Sequence, residues 1–177
     1  TNTHRQLILY EALGKPIPHF AHVSLILGPD KTKLSKRHGA TSIGQFKKDG
    51  FLPEAMVNFL ALLGWHEGNN QEFYSREELI RKFSLERINK APAEFDHSKL
   101  AWMNGEYIRK LPDDEFTRMV CPILEKEFRK VFPNTPYSDM VKLTLVLKNH
   151  IPTLNHIIPA AGPILHGGPP ENEDAKQ

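Results

Sequence analysis

Residues 31–39, with the sequence KTKLSKRHG, gather the side chains of this chain that are best suited to chemistry, and we call them the KLSKR loop. Five of the nine positions carry a cationic or potentially cationic group, and one serine lies among them. Lysine is a common phosphate binder because its ammonium group is a compact point charge with three donors. The segment fits a phosphate-handling loop, a nucleic-acid patch or a solvated basic loop, and its charge alone favours the last.

The bulk composition is that of a folded protein without a generally basic surface. The 177 residues are 40% hydrophobic and 25% charged, which suffices for one ordinary domain or two small ones. The formal net charge is only +2, so any nucleic-acid binding must come from a local patch. No apolar run approaches the roughly 18–20 residues that a membrane-spanning helix needs, so we expect no membrane partner.

Metal and disulfide chemistry find little support in the sequence. The single cysteine, Cys121, excludes an intrachain disulfide framework and a cysteine-cluster zinc site, and its apolar neighbours predict a core position. The nine histidines lack the spacing of metal-binding motifs such as HExxH. We therefore expect no structural zinc in this chain.

The elements around the loop are predicted from apolar spacing. Near-helical spacing in HRQLILYEALG predicts a helix that ends at Gly14. The short apolar run HVSLIL, which ends just before Gly28, predicts a strand that leads into the KLSKR loop. Because a lone strand leaves its edges unpaired, we expect its partner strands to lie upstream, outside this chain.

Helical signals dominate after the loop. Pro53 is well placed as the first residue of a helix that ends at Gly64. Ser75 and Glu78 form a predicted capping box. Asp96 is the predicted N-cap of a helix that stops at Asn104–Gly105, where the two residues read as a stop signal.

The last third of the chain is predicted to be helical and then frayed. A helix runs from about Pro112 toward Phe132, and Pro122 inside it must kink or split it. A further amphipathic helix begins at Ser138 and extends through Lys148. The stretch from Pro152 to the end is rich in proline, and we expect it to fray.

The wider pattern around the loop resembles the KMSKS signature of class I aminoacyl-tRNA synthetases and, more narrowly, the bacterial and organellar glutamyl-tRNA synthetases. The resemblance rests on four blocks in the family's order and spacing: TNTHRQLILYEALG, HVSLILGPDKTKLSKRHGATS, FLPEAMVNFLALLGW and FSLERINKAPAEFDHSKLAWMNGEYIR. It covers about residues 1–112 strongly and fades beyond them.

The resemblance implies a mainly α fold in consecutive parts. Residues 1–50 would form the C-terminal end of a Rossmann-type α/β catalytic domain with a short strand. Residues 51–112 would form an α-helical stem-contact region, and residues 113–165 the start of an α-helical anticodon-binding domain. Residues 166–177 would be a flexible tail.

The resemblance also implies an enzyme, a glutamate–tRNA ligase that activates glutamate with ATP and transfers it to the 3′ end of tRNA(Glu). The five motif positions are matched by Lys33, Leu34, Ser35, Lys36 and Arg37. By resemblance, Lys36 and then Lys33 are the catalytic contacts to the ATP phosphates, and backbone near Ile26 and Leu27 packs beside the adenine. Magnesium would arrive with ATP, and we expect a monomer in the bacterial cytoplasm or in an organelle.

Other parts of the family pattern are not found in this sequence. It contains no HIGH motif, the family's glutamate pocket would lie upstream, and the chain begins without methionine. We therefore expect a piece of a longer protein that is inactive alone. Alternatives are a non-catalytic RNA-binding or scaffold module, a glutaminyl enzyme, or a glutamyl-queuosine-type paralogue, although helical patterning beyond residue 112 argues against the latter two.

Several single residues invite a functional interpretation that we weigh against a plainer one. Asp30 is expected to serve the Gly-Pro-Asp turn, with a salt bridge to a loop lysine as the alternative. His38 is expected to be a solvated loop residue. Trp65 and Trp102 are expected in the core. Arg109, with Lys110 beside it, lies where the family approaches the inner side of tRNA, so a phosphate contact there is an open alternative.

Overall fold

Eight α-helices and one pair of very short strands build the part of the chain that the structure describes, residues 2–39 and 42–167 of a computed structural model. The helices are α1 (Thr3–Ala12), α2 (Ile43–Lys48), α3 (Pro53–Gly64), α4 (Arg76–Lys82), α5 (His97–Lys110), α6 (Asp113–Val131), α7 (Tyr137–Leu147) and α8 (Ile157–His166). The strands are β1 (Ile26–Leu27) and β2 (Ala93–Glu94). Short 3₁₀ turns cover Lys36–His38, Leu85–Arg87, Lys148–His150 and Leu154–His156. None of the described helices has the length and hydrophobicity to cross a membrane.

The strand before the KLSKR loop finds its partner inside the chain. β1 pairs with β2 in parallel, with Ile26 opposite Ala93 and Leu27 opposite Glu94. The amide of Phe95 also donates to the carbonyl of Leu27 at 2.8 Å. The expectation of partner strands outside the chain was therefore wrong for this pair. A two-residue strand is too short to show an alternating pattern, so β2 could not be found from periodicity.

One hydrophobic cluster supports the base of the loop. It joins α2, α3 and α5, and its buried members are Phe46, Met56, Phe59, Phe95, Leu100 and Met103. The side chains of Ile26 in β1 and Leu34 in the loop pack against it. The strand before the loop and the loop itself are therefore each packed against the core, which limits where the other side chains of the loop can lie.

A second cluster lies between α6, α7 and α8 and reaches the end of α5. Its buried members are Leu52, Ala55, Ile108, Phe116, Val120, Leu124, Phe128, Met140, Leu147, Ile151, Leu154, Ile157, Ala161 and Leu165. Three of these residues belong to α8, so the expectation that the chain frays from Pro152 onward was wrong as far as residue 167. The remaining residues of the expected tail lie outside the described part of the chain.

Helix α5 passes straight through the predicted stop at Asn104–Gly105. The side-chain oxygen of Asn104 accepts a hydrogen bond from the Leu52 backbone amide at 2.8 Å. The side-chain nitrogen of Asn104 donates to the Pro152 backbone carbonyl at 2.6 Å. A Cβ on Gly105 would lie 3.5 Å from the Ile151 carbonyl oxygen. Backbone from two other segments approaches α5 at these two residues. These tertiary contacts override the local tendency of Asn and Gly to end a helix.

The other helix signals gave mixed results. The capping box of Ser75 and Glu78, the Asp96 cap and the Pro53 start are all present as predicted. α6 continues from Asp113 to Val131, so Pro122 does not split it, and the kink given as the other outcome stays a prediction. Cys121, next to that proline, is buried as expected.

Candidate functional site

A tight turn connects β1 to the KLSKR loop and folds the loop back along the strand. The Gly28 amide donates to the Thr32 carbonyl at 2.8 Å, and the Leu34 amide donates to the Ile26 carbonyl at 2.9 Å. Lys33 faces Leu27 across an antiparallel bridge. The predicted adenine-side segment and the first two motif positions, Lys33 and Leu34, are thereby brought side by side.

The acidic residue of the turn organises the basic residues around it. One carboxylate oxygen of Asp30 accepts the Thr32 amide at 3.0 Å and its hydroxyl at 2.7 Å. The other oxygen pairs with the Arg37 guanidinium at 3.2 Å, and that guanidinium also donates to the Thr32 hydroxyl at 2.6 Å. The predicted turn chemistry is confirmed, and the salt bridge runs to the arginine, not to a lysine.

The electrostatics of Asp30 follow from these bonds. Hydrogen bonds from the Thr32 side chain and backbone, with a smaller contribution from His38, lower the pKa of Asp30 from 3.8 to about 2. Hydrogen bonds that stabilise the ionised form lower the pKa of a carboxyl group. Asp30 is therefore an anion at neutral pH, directly before a loop whose charged side chains are all cationic.

His38 is the residue that sequence reasoning placed wrongly. Its side chain is only 8% exposed, and its ring lies so close to Gly28 that a Cβ there would meet it at 2.9 Å. The Nδ1 atom accepts the Ser35 amide at 3.0 Å, so in the neutral ring Nε2 carries the hydrogen and faces Asp30 at 3.2 Å. The partner glycine lies ten positions earlier, and no local pattern signals that contact.

The two lysines predicted to act on phosphate stand apart from this network. Lys33 and Lys36 are exposed, and neither makes an ion pair or a side-chain hydrogen bond to another residue within 2–39 and 42–167. Ser35 lies between them at the start of the 3₁₀ turn Lys36–His38. The arrangement thus offers two ammonium groups that have no partner in the described part of the chain, beside an arginine that is paired with Asp30.

The backbone at Ile26 and Leu27, predicted to lie beside the adenine, is at the base of the loop. The carbonyl oxygens of both residues accept hydrogen bonds inside the fold, from Leu34 and Phe95. A cavity of about 240 Å³, lined in part by Ile26 of β1, was missed by sequence reasoning because its apolar lining comes from segments far apart in the chain. Trp65 lines it, and its buried indole nitrogen has no hydrogen-bond partner among residues 2–39 and 42–167.

The two tryptophans and the basic pair after them have different surroundings. Trp65 is buried as expected, whereas Trp102 is 44% exposed, so its predicted core position was wrong. The Trp102 ring packs against Phe73 at 5.5 Å and lines a groove with Arg109, which is paired with Glu106. The Lys110 ammonium group lies 4.4 Å from the Phe73 ring centre. Among the described residues, no group of three His, Cys, Asp or Glu side chains converges as a metal site would require.

Comparison with known families decides the class of protein. The family model described as tRNA synthetases class I (E and Q), catalytic domain, matches residues 1–102. The chain belongs to this family. The resemblance stated from the four sequence blocks is thereby confirmed, and the KLSKR loop lies within the matched residues.

Two curated relatives of this chain are glutamate–tRNA ligases. The chain is 46% identical over 160 residues to glutamate–tRNA ligase 1 of Caldanaerobacter subterraneus subsp. tengcongensis, covering 90% of this chain and 33% of the relative. It is 48% identical over 160 residues to glutamate–tRNA ligase of Carboxydothermus hydrogenoformans, covering 89% and 33%. The chain therefore spans about a third of the length of these relatives.

Solved structures agree with the fold. The glutamate–tRNA synthetase of Elizabethkingia anophelis matches with a TM-score of 0.76 at 29% identity, over 98% of this chain and 38% of that one. A glutamate–tRNA ligase from Elizabethkingia meningosepticum, solved in complex with its amino acid, matches with a TM-score of 0.72 at 30% identity, over 97% and 37%. The mainly helical fold with one short parallel strand pair is the fold of a class I synthetase piece.

Proposed function

We propose that this chain is the part of a glutamate–tRNA ligase that holds the ATP triphosphate from the side of the KLSKR loop. The observation that carries the proposal is the pair of exposed lysines, Lys33 and Lys36, whose ammonium groups have no anionic partner among the described residues. Unpaired ammonium groups on a loop anchored to a core are suited to a polyphosphate ligand. The membership of the chain in the synthetase family makes ATP the expected polyphosphate.

The chemistry assigned to the loop is electrostatic. In the proposed reaction, a glutamate carboxylate oxygen bonds to the α-phosphorus of ATP, and the bond to the departing pyrophosphate breaks. Negative charge grows on the phosphate oxygens in the transition state, and cations placed there beforehand stabilise it. Lys36 is the first candidate for this contact and Lys33 the second, and magnesium bound to ATP would share the work.

The remaining motif positions support the lysines in this proposal. Leu34 packs on the hydrophobic cluster and fixes the middle of the loop, and Ser35 begins the turn that orients Lys36. Arg37 completes the motif. The backbone around Ile26 and Leu27 lies at the base of the loop, where the adenine of a nucleotide held by the lysines would lie.

We also propose that the chain contacts tRNA(Glu) beyond the loop. The proposed parts are the end of the catalytic domain at 1–50, a stem-contact region at 51–112 and the start of an anticodon-binding region at 113–165. Arg109, Lys110 and the exposed Trp102 lie on one side of α5, and cationic and aromatic side chains together suit an RNA backbone and its bases. We propose that the parent enzyme acts as a monomer in the bacterial cytoplasm or in an organelle.

The proposal is tested by measuring MgATP binding to this chain by calorimetry. We expect Lys36→Gln to weaken binding more than Lys33→Gln does. Lys47→Gln is the matched control, because it removes the same charge from an exposed lysine at the end of α2, outside the loop. Equal effects at positions 36 and 47 would contradict the proposal and would favour a non-catalytic RNA-binding module.

A kinetic test applies to a ligase that contains this chain. Lys36→Ala should lower the rate of glutamate activation by about a hundredfold or more, in the range found when one charge-stabilising group is removed. The affinity for ATP should fall by much less, because the contact strengthens mainly in the transition state. The measurement is ATP–pyrophosphate exchange at varied ATP concentration, and equal losses in rate and affinity would argue against this role.

A further inference from the structure

We infer that Arg37, although it occupies the last motif position, holds the loop in shape and does not bind phosphate, and that Asp30 is the positioning residue through which it acts. This inference rests on the proposed function, because the loop that Asp30 and Arg37 position is the proposed ATP-binding loop. It divides the cations of the motif into two groups. Lys33 and Lys36 act on the ligand, and Arg37 acts on the loop.

The contacts of Arg37 carry the first step. Its guanidinium pairs with Asp30 at 3.2 Å and donates to the Thr32 hydroxyl at 2.6 Å. The same hydroxyl donates to Asp30 at 2.7 Å, so the three side chains close a ring of hydrogen bonds. Both contacts come from one terminal nitrogen of the guanidinium and fix the direction of the side chain, whereas Lys33 and Lys36 have no such contact among the described residues.

His38 carries the second step, because it ties the end of the loop to the same carboxylate. Its Nε2 atom faces Asp30 at 3.2 Å, and its Nδ1 atom accepts the Ser35 amide. The Arg37 Nε atom lies 3.3 Å from Nε2, but that nitrogen carries the hydrogen in this tautomer and cannot accept. Asp30 is thus the common partner of the turn, of Arg37 and of His38.

The position of the lysines gives the third step. Lys36 lies between Ser35, whose amide is bonded to His38, and Arg37, which is bonded to Asp30. Both neighbours of the proposed phosphate-binding lysine are therefore held, while its own side chain is exposed and unpaired among the described residues. Holding the backbone on both sides of a flexible side chain reduces the ordering that ligand binding requires.

The inference and its main alternative predict opposite effects of Asp30→Asn on MgATP binding. If Asp30 competed with phosphate for Arg37, then Asp30→Asn would free the arginine and tighten MgATP binding. If Asp30 positions the loop, then Asp30→Asn weakens binding, by roughly threefold to tenfold. Asparagine keeps the shape of the residue and an oxygen that can accept from Thr32, so the change removes mainly the charge.

A double-mutant cycle on the full chain completes the test. We expect Asp30→Asn and Arg37→Gln each to weaken MgATP binding in calorimetry, and the double variant to be no weaker than either single one. Additive losses or tighter binding by Asp30→Asn would each overturn the inference.

A second readout separates this inference from the proposed function. In ¹⁵N NMR spectra without any ligand, Asp30→Asn and Arg37→Gln should shift the same amides, those of Thr32, Ser35 and His38. Amides that respond to only one of the two changes would overturn the positioning role. If the unaltered chain bound neither MgATP nor inorganic tripolyphosphate, the proposed function would fail, and the amide comparison would still decide the role of Asp30.

Discussion

Lys31 carries a backbone conformation that its residue type disfavours. Its φ is +58°, the one positive value at a described residue other than glycine. A non-glycine residue in the left-handed region is destabilised by about 1–2 kcal/mol, whereas glycine is not. We expect Lys31→Gly to raise the free energy of unfolding slightly, by up to about 1 kcal/mol, because the greater backbone freedom of glycine offsets part of the gain.

The matched variant at the same position is Lys31→Val. A β-branched side chain is the least tolerant of a positive φ, so we expect this change to lower the free energy of unfolding by about 1–2 kcal/mol. Urea denaturation of the three proteins checks the order glycine, lysine, valine. A valine variant as stable as the glycine variant would show that the turn does not hold this conformation in solution.

The structure of the loop should depend on the ionised state of Asp30 and should therefore weaken in acid. Its folded pKa of about 2 lies below its ordinary 3.8, so its contribution to loop structure is complete above about pH 4 and is lost as the pH falls toward 2. The Asp30 carboxyl carbon shift in NMR should titrate with a midpoint near 2. Thr32→Val should move that midpoint upward, because the Thr32 hydroxyl is the largest cause of the shift. A midpoint near 4 in the unaltered chain would contradict the observed network.

At the scale of elements, α5 is held by a buried polar side chain in its middle. Asn104 satisfies the Leu52 amide at the start of α3 and the Pro152 carbonyl. Asn104→Ala would leave the buried Leu52 amide and the partly buried Pro152 carbonyl without this partner, so we expect a loss of about 2–4 kcal/mol in the free energy of unfolding. Ser98→Ala, at an exposed position of the same helix, is the control and should change stability little. Thermal and urea unfolding measure both, and equal effects would refute the assignment.

The same helix shows which elements the sequence could predict and which it could not. Asp96 caps α5 through a bond to an amide three residues away, so its signal is local and was predicted correctly. Asn104 bonds to partners about 50 positions away on either side, and only the folded chain brings them together. β2 escaped prediction for a related reason, since its two residues are defined by pairing with β1 and not by any pattern of their own.

The candidate site also contains residues that the sequence could predict and contacts that it could not. Lys33 and Lys36 could be named from the sequence, because the motif residues are adjacent and the surrounding blocks identify the family. The network beneath them could not, because it depends on the fold of the turn. His38 was expected in solvent, but its ring lies over Gly28 and faces Asp30, ten and eight residues earlier in the chain.

At the scale of the whole molecule, one glycine joins the segment after the loop to the C-terminal helices. Gly50 has a φ of +84°, its carbonyl accepts the Leu154 amide at 3.0 Å, and an added Cβ would lie 2.7 Å from the Asn155 amide nitrogen. Asn155 also donates to the Lys48 carbonyl at 2.6 Å. Residues about 100 positions apart are therefore in contact through backbone that leaves no room for a side chain.

Gly50→Ala should consequently weaken the whole fold and not only a loop. The alanine would combine a disfavoured φ with a clash against backbone that cannot move away easily, so we expect a loss of about 2–4 kcal/mol in the free energy of unfolding. Gly44→Ala is the matched control, since Gly44 lies within α2 with open space around it, and there alanine should stabilise the helix by up to about 1 kcal/mol. Hydrogen exchange should show protection lost in both α2 and α8 of the Gly50 variant. Loss of protection confined to α2 would mean that α2 and α8 unfold independently. The KLSKR loop would then be stabilised only by the hydrophobic cluster of α2, α3 and α5.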